Sequence, residues 1–350
     1  MLYNELNERE KNILRYIIQQ FILTASPVGS RFITKQYDIG LSPASVRNIM
    51  SDLEDSGMID HPHTSAGRIP TDKGYRFYVD SLMDIQKLRT TEKGIINKSF
   101  ETGITETDEL LQLTSTLLSS ITQQLACVTY PKLDSAVLEK IQIVNLSSTR
   151  ILVVLSIKSG LVKTITLEIK SDIKTSQINS VQQLLNERLN GLTFSEIRST
   201  FKERFKDVKE NQKPIIRIFV DSLDKIFKDI KQNDKILITG AKNIIKQPEF
   251  EDPQKFQSII ELIENKDIII HILEKSEESG ADQVYISIGS ENEYKELSEY
   301  SLITKEYTLG EISGNLGIIG PKRMEYSKVV AIVDYMAKML SEMLTNQNSK

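Results

Sequence analysis

A periodic pattern of apolar and polar positions predicts an amphipathic helix between Ser42 and Gly57. Its apolar positions share one face at helical spacing: Val46, Ile49, Met50 and Leu53. The Ser42 hydroxyl can cap the first turn, Pro43 fits the first helical position, and Gly57 can take the left-handed conformation that ends a helix. The segment is therefore expected to form a well-delimited helix with one buried face.

The opposite face of this helix is polar. Its side chains share one direction: Ala44, Arg47, Asn48 and Ser51. Arginine can bond bidentately to guanine, asparagine can do so to adenine, and a small methyl group can contact the thymine methyl. This is the chemistry of a helix that reads the major groove. The alternative for the same face is an ordinary solvated surface.

Two shorter helices are predicted before this one. Asn7 and Glu10 can form a capping box for the first helix, whose apolar positions are Ile13, Leu14, Ile17, Ile18 and Phe21. Ser30 is expected to cap the second helix, which ends at Gly40. In this order, the helix from Ser42 is the third of a helix-turn-helix unit, the position of the DNA-reading helix.

A donor-rich loop after the third helix predicts a wing. Residues 61–68 contain donors and no carboxylate, and short apolar pairs at 58–59 and 69–70 flank them. Such a loop can lie along the phosphates or in the minor groove. A metal site at His61 and His63 is the alternative, and it is disfavoured because no cysteine or third histidine lies nearby.

The residues expected to contact DNA come from the second helix, the third helix and the loop. Ser30, Arg31 and Lys35 are placed for phosphate contacts. The full set of candidate DNA-binding residues is Ser30, Arg31, Ser42, Ala44, Ser45, Arg47, Asn48, Ser51, His63, Thr64, Ser65 and Arg68. Neither a cofactor nor a metal is expected.

The rest of the chain mixes strand and helix patterns. Tyr75, Phe77, Tyr78 and Val79 are expected to pack back on the first domain, or else to continue into a helix through Leu82 and Met83. Strands are predicted at 126–131, 141–146, 151–157, 161–169, 235–239, 268–273, 284–288 and 302–307. Helices are predicted at 110–125, 181–191, 193–205, 214–230, 256–263 and from Ser327 onward. Strands on both sides of a helical block indicate an α+β domain that carries an insertion.

For the DNA-binding interpretation, the distribution of charge along the chain is more informative than the net charge. The 350-residue chain has a formal net charge of −4, so overall basicity does not indicate nucleic acid. Nine basic and ten acidic side chains in the first eighty residues argue against a strong non-specific grip on phosphates. The acidic residues gather at 52–60, beyond the predicted reading face. Local polarity is therefore expected to orient the protein on DNA.

Cysteine content and hydropathy favour an intracellular protein. Cys127 is the only cysteine, so the chain has no intrachain disulfide, which suits a reducing compartment. No apolar run approaches the length of a membrane span, and the first residues lack the pattern of a signal peptide. We expect a cytoplasmic location and no membrane partner.

Motifs for catalysis are lacking. The glycines at 310, 314, 317 and 320 are better explained by tight turns between strands than by a phosphate loop, since no Ser or Thr follows Lys322. His271 falls in a predicted strand without catalytic partners, and no Gly-x-Ser-x-Gly motif occurs. An enzyme with a DNA-binding appendage is therefore disfavoured. A small-molecule-responsive regulator stays open.

Three runs of sequence resemble the HrcA family of heat-inducible transcription repressors: residues 42–48, 63–80 and 314–326. The resemblance implies an N-terminal winged helix-turn-helix at 1–83, a linker at 84–107 and a GAF-like α+β domain at 108–175 and 266–345. It further implies a mainly helical dimerisation subdomain inserted at 176–265. Family members usually have an acidic residue at Ile49, and this change is expected to affect packing more than readout.

The same resemblance implies the biological role. A homodimer would bind the CIRCE inverted repeat in double-stranded DNA upstream of chaperone operons such as grpE-dnaK-dnaJ and groELS. It would repress them at normal temperature. The chaperonin GroEL would keep the repressor active. Two-fold symmetry suits such an operator, because each reading helix then meets one half-site.

Overall fold

Three helices begin the chain in the computed structural model, which describes residues 6–62, 67–101, 106–169, 174–210, 212–228, 236–275 and 283–347. They are α1 (Glu8–Thr24), α2 (Ser30–Gln36) and α3 (Pro43–Asp55). The predicted capping box of α1 is present, with Asn7 accepting from the Glu10 amide and Glu10 accepting from the Asn7 amide. The predicted cap of α2 is wrong: Gly29 precedes the helix, and Ser30 is its buried first residue.

A two-stranded antiparallel hairpin follows the helices. Strand β1 (Ile59–Asp60) pairs with β2 (Ile69–Pro70). A bridge between Val28 and Arg68 attaches the hairpin to the connection between α1 and α2. Next come α4 (Asp72–Phe77) and a π-helical turn (Tyr78–Leu82). We call residues 6–82 the N-terminal unit.

Both alternatives for the aromatic segment after the hairpin are realised. The rings of Tyr75, Phe77 and Tyr78 are buried, and the chain also continues helically to Leu82. The Arg15 guanidinium donates from Nε to the Leu82 carbonyl oxygen, 3.2 Å away. The π-helical turn is therefore fastened to the first helix of the chain.

The segment expected to be a connector contains a helix, α5 (Thr90–Phe100). Ile96 and Phe100, four residues apart, form its buried face. The Tyr335 hydroxyl donates to Asn97 Oδ1 at 2.7 Å, which fixes α5 to the last helix of the chain. Two apolar residues in a polar stretch were too weak a pattern to predict this helix.

A five-stranded antiparallel sheet forms the centre of the molecule. Its strand order is β7-β3-β10-β9-β8. The strands are β3 (Leu125–Thr129), β7 (Ile236–Thr239), β8 (Tyr285–Ile288), β9 (Tyr300–Leu309) and β10 (Ile312–Pro321). We call this sheet, with the helices that cover it, the five-stranded domain.

Helices cover both faces of this sheet. On one face lie α6 (Thr107–Thr122) and α14 (Tyr326–Gln347). On the other lie α12 (Pro253–Glu264) and α13 (Lys266–Lys275), with α11 (Ala241–Ile244) and a 3-10 turn (Pro248–Glu251) nearby. Successive residues of β3 alternate between the two cores, so Ala126 and Val128 pack in the first and Leu125 and Cys127 in the second. Two short 3-10 turns, Gly289–Glu291 and Lys295–Leu297, link β8 to β9.

A second, three-stranded antiparallel sheet interrupts this domain. It consists of β4 (Leu138–Ser147), β5 (Arg150–Ile157) and β6 (Val162–Glu168), the predicted meander. After it come α7 (Thr175–Leu189), α8 (Phe194–Arg204), α9 (Lys213–Asp221) and α10 (Leu223–Phe227), whose apolar residues share a core with the sheet. We call this block the three-stranded unit.

The strand pairing divides the chain differently from the predicted insertion at 176–265. Among the described strands, β4–β6 pair with one another and with no other strand, whereas β7 returns to β3 in the five-stranded sheet. The block that interrupts the central sheet therefore begins with β4 and ends before β7. Of the elements of the three-stranded unit, only the helices α7–α10 fall within the predicted range 176–265.

Two further predictions are wrong for physical reasons. Residues 268–273 are part of α13, because the buried Ile269, Ile270, Ile272 and Leu273 have helical spacing and His271 is exposed.

The second concerns the glycines that were expected in turns. Gly314, Gly317 and Gly320 lie inside β10, and of the four only Gly310 occupies a turn, at φ +59°. A Cβ at Gly317 would lie 2.6 Å from Thr304 Cγ2, so this strand needs glycine for close approach.

Among the described residues, no helix is both long and apolar enough to cross a membrane.

Candidate nucleic-acid interface

The capped helix α3 has the predicted geometry. Ser42 Oγ accepts a hydrogen bond from the Ser45 amide at 3.1 Å, and Pro43 is the first helical residue. Gly57, at φ +71°, follows the last turn. Val46, Met50 and Leu53 are buried, while Ile49 is half-buried against the same core. The helix is therefore held by its apolar face and fixed at both ends.

The polar face of α3 is open. Ala44, Arg47, Asn48 and Ser51 are all exposed. Within the described residues, the Arg47 guanidinium and the Asn48 carboxamide make no hydrogen bond or ion pair to another side chain. An arginine and an asparagine side by side on a rigid helix, without internal partners, keep their full hydrogen-bonding capacity for base edges.

The start of α3 offers fewer free groups than the sequence implied. Ser42 is exposed, but its hydroxyl is occupied by the cap. The hydroxyl oxygens of Ser42 and Ser45 also lie 3.0 Å apart and share a hydrogen bond. Both serines therefore stabilise the first turn; Ser42 is exposed and Ser45 is half-buried.

Helix α2 packs against α3, and the residues of α2 that were predicted to contact phosphates differ in exposure. Ser30 is buried, with only 7 % of the residue exposed, so it does not extend into solvent toward a ligand. Arg31 and Lys35, by contrast, are exposed. The basic side chains of α2 can therefore reach a phosphate backbone, and the serine contributes to the interior.

Arg68 has an internal role that the sequence did not reveal. Its Nε donates to Glu54 Oε2 at 2.8 Å, its Nη2 lies 2.7 Å from the same oxygen, and its Nη1 donates to His61 Nδ1 at 3.0 Å. Glu54 belongs to the last turn of α3, so this arginine fastens the hairpin to the reading helix. The sequence feature that could have indicated this ion pair is an acidic residue, Glu54, at the end of the helix that precedes the hairpin carrying Arg68.

Three predicted contacts, His63, Thr64 and Ser65, lie outside the described residues.

Charges around α3 are separated along its length. Arg47 lies in the first half, whereas Asp52, Glu54 and Asp55 occupy the last turns. The Arg68 guanidinium offsets the Glu54 carboxylate. From α2 to the first half of α3, the exposed Arg31, Lys35 and Arg47 outnumber the exposed Asp38, and this local excess of positive charge can orient the unit in the field of a polyanion.

Comparison with known proteins identifies relatives across the chain. The family model described as HrcA protein C terminal domain matches residues 108–330. The heat-inducible transcription repressor HrcA of Chlorobium phaeobacteroides strain BS1 is 43% identical over 354 residues, covering 99% of this chain and 100% of that protein. That of Chlorobaculum tepidum is 41% identical, covering 99% and 100%.

A solved crystal structure of a hypothetical protein has a similar fold. It aligns with a TM-score of 0.61 at 22% sequence identity, covering 98% of this chain and 100% of that chain. The sequence matches span both the N-terminal unit and the α+β domains, and the chain belongs to the HrcA family of heat-inducible transcription repressors.

Proposed function

We propose that the protein is a transcription repressor whose N-terminal unit is a winged helix-turn-helix that reads operator DNA with α3. The observation that carries the proposal is the exposed, unpartnered pair Arg47 and Asn48 on a helix capped at both ends. In this assignment Arg47 bonds to guanine, Asn48 bonds to adenine, and the Ala44 methyl contacts thymine.

The other contacts position the protein without reading sequence. Arg31 and Lys35 on α2 bind phosphates, as does the outward side of Ser42. We propose that the hairpin of β1 and β2 lies along the backbone of the adjacent groove, and that His63, Thr64 and Ser65, which lie outside the described residues, contact it as well. Arg68 acts through Glu54 and holds this hairpin in place.

We assign dimerisation to the three-stranded unit. The inward residues of its sheet are buried, but the outward face carries apolar side chains: Val144, Leu146, Leu152, Val154 and Val162. Val144 and Leu152 are direct cross-strand neighbours, and Val144, Leu146 and Val162 are 47%, 50% and 61% exposed. Polar residues share this face, since Val154 pairs with Gln142 and Thr164, but the exposed apolar side chains still favour self-association through a two-fold interface.

Family membership supports the finer assignments. We propose that the five-stranded domain is GAF-like, and that the homodimer binds the CIRCE repeat upstream of chaperone operons such as grpE-dnaK-dnaJ and groELS. In the cytoplasm it would repress them until heat stress, and GroEL would maintain its active form. The charge pattern agrees, since recognition by a few groups on α3 suits a defined operator better than non-specific coating.

Footprinting on the DNA upstream of the chain's own gene and of the chaperone operons tests the proposal. Purified protein should protect both halves of an inverted repeat, and GroEL should increase the protected fraction at a fixed repressor concentration. Protection of random DNA to the same extent would contradict sequence-specific repression. A protected repeat without a GroEL effect would retain the repressor and reject chaperonin control.

A cavity favours a second candidate, regulation by a small molecule. It measures about 480 Å³ and lies between α6, β3, β6 and α13, with walls that include Tyr130, Lys132, Lys163 and Glu274. Ligand pockets commonly have this size and a few polar groups in an apolar wall. A thermal-shift screen of metabolites, followed by footprinting with any ligand found, separates this control from that by GroEL.

A further inference from the structure

We infer that a polar seam between the N-terminal unit and the five-stranded domain fixes the direction of α3, and thereby sets the half-site spacing that the dimer accepts. The seam is defined by Asp72 and Arg76 on one side and Glu291, Lys322 and Arg323 on the other. The inference rests on the proposed function, since it needs two copies of α3 on one inverted repeat.

Arg76 makes the densest contacts of the seam. Its Nε donates to Glu291 Oε1 at 2.7 Å and its Nη2 to Glu291 Oε2 at 2.5 Å. The same Nη2 donates to the Ile286 carbonyl oxygen at 2.7 Å, and Nη1 donates to Asp80 at 3.2 Å. The hydrogen bonds to Glu291 raise the pKa of Arg76. A planar fork held by both oxygens of a carboxylate fixes orientation as well as distance.

Asp72, at the start of α4, makes the second attachment. Its carboxylate accepts from the Ser290 amide at 2.9 Å and pairs with Lys322 Nζ at 2.9 Å. Gly289 allows this approach, because a Cβ there would lie 2.2 Å from Asp72 Oδ2. The backbone of the 3-10 turn thus contacts the side chain directly, which leaves little freedom for sliding.

Arg323 makes the third attachment, at the end of α1. Its Nη1 donates to the Ile22 carbonyl oxygen at 2.6 Å, one of the carbonyls without an intrahelical partner in the last turn. Glu249 holds the same guanidinium at 2.5 Å and 3.1 Å, so its direction is fixed from within the five-stranded domain. This arginine is 14% exposed.

Apolar packing lies between these attachments. The rings of Tyr75 and Tyr326 are buried, with centroids 5.8 Å apart. The attachments lie on two separate elements of the N-terminal unit, the end of α1 and α4, so a movement about either one would strain the contacts of the other. None of the seam residues belongs to α3, whose polar face stays exposed. The seam therefore orients the reading helix without covering it.

A rigid attachment has a consequence for spacing on DNA. Because B-DNA turns once in 10–10.5 base pairs, moving one half-site by two base pairs rotates it by about 70° and shifts it by about 7 Å. A dimer with rigid seams must then lose contacts at one half-site or break a seam. A dimer with loose reading units would follow the displaced half-site at little cost.

The experiment measures affinity for a series of inverted repeats. The probes are the footprinted repeat and versions with one or two base pairs added to or removed from its centre. We expect the wild type to discriminate against a two-base-pair change by about tenfold or more, equivalent to about 1.4 kcal/mol. The variant Glu291→Ala/Lys322→Ala should reduce this preference to about threefold or less, equivalent to about 0.7 kcal/mol.

The control is Glu293→Ala/Lys275→Ala, which removes the same charges. Glu293 pairs with Lys275, so this ion pair lies within the five-stranded domain. This control should keep the wild-type spacing preference. If the seam variant does not fold, Arg76→Lys replaces it, since a lysine cannot reproduce the planar fork; the preference should again fall.

The outcomes separate the two proposals. A seam variant that keeps the wild-type ratio between spacings, or loses affinity equally at all spacings, would overturn the inference while leaving DNA recognition intact. Absence of wild-type binding to every repeat would overturn the proposed function and this inference with it.

Discussion

At the residue scale, three arginines of the N-terminal unit have three different environments. Arg47 is exposed and has no partner among the described side chains. Arg68 is bonded to Glu54 and His61 within its own unit, and Arg76 is bonded to Glu291 in another domain. Since a guanidinium already held by a carboxylate has few donors left, Arg47 is the one of these three arginines that keeps its full capacity for bidentate base recognition.

Replacing Arg47 by alanine tests this distinction. Loss of one bidentate base contact should cost about 1–3 kcal/mol and relax specificity at one base pair. The measurement is binding to the operator and to a set of single-base variants. Arg31→Ala is the matched control. Because Arg31 is assigned a phosphate contact, its loss should lower the affinity for all DNA sequences alike and reduce the slope of log affinity against log salt concentration by about 0.9. Uniform weakening by Arg47→Ala would make Arg47 a phosphate contact instead.

Because caps and apolar periodicity are local, the sequence predicted the caps of α3 and its buried and exposed faces. It did not predict the environments of Ser30 and Arg68, which depend on other segments. The burial of Ser30 follows from the packing of α2, and the role of Arg68 follows from Glu54, fourteen positions earlier. Residue type alone does not distinguish a free cation from a paired one.

At the element scale, side-chain amides of α7 satisfy the open edge of β4. Asn186 accepts from the Ile141 amide and donates to the Ile141 carbonyl oxygen, both at 2.8 Å. Gln182 accepts from the Ile143 amide at 2.7 Å. An edge strand without such partners presents free donors and acceptors to other chains. Because α7 covers this edge, the three-stranded sheet is left with its outward apolar face, rather than its edge, as the surface for association.

Replacing Asn186 by alanine should destabilise the protein by about 1–3 kcal/mol, because two backbone groups of β4 lose their partners. Urea unfolding measures this loss. Gln183→Ala is the control on the same helix, since its exposed amide bonds, among the described residues, to Glu187 and to no strand. A similar small effect for both variants would show that water replaces Asn186 at the strand edge.

Element type was predictable where the pattern was long, as in α6 and α14. It was wrong for α13, since a short apolar run fits a strand or a buried helix equally well. It was missed for α5, whose buried face depends on only Ile96 and Phe100. The secondary structure of α5 and α13 is determined by the elements they pack against, and a single sequence does not reveal these tertiary contacts.

At the scale of the whole molecule, the two sheets and the seam depend on contacts between distant parts of the chain. Arg76 and Glu291 are separated by 215 positions, and Asp72 and Ser290 by 218. No local pattern predicts such pairs. The runs 63–80 and 314–326, which carry the family resemblance, nevertheless contain four of the five seam residues: Asp72, Arg76, Lys322 and Arg323. Part of what these runs encode is therefore the attachment of one domain to another.

The seam also makes the stability of the molecule depend on pH. Burial alone would raise the pKa of Asp72, but hydrogen bonds from Lys322 and the Ser290 amide outweigh it and lower the pKa below the usual 3.8. The unfolded chain therefore takes up this proton at a higher pH than the folded chain does. The contribution of Asp72 is fully present above about pH 5 and is lost as the pH falls through the folded pKa.

Comparing Asp72→Asn with the wild type in urea from pH 7 down to pH 2.5 isolates this contribution. The variant should be less stable at pH 7, and the difference between the two curves should shrink as the pH falls, first as the unfolded chain binds the Asp72 proton and then as the pH passes the lowered folded pKa. Asp52→Asn, on the exposed side of α3, is the charge-matched control and should differ little from wild type throughout. A difference for Asp72→Asn that stays constant with pH would mean that the asparagine disturbs packing, and that the ion pair with Lys322 contributes nothing measurable to holding the two domains together.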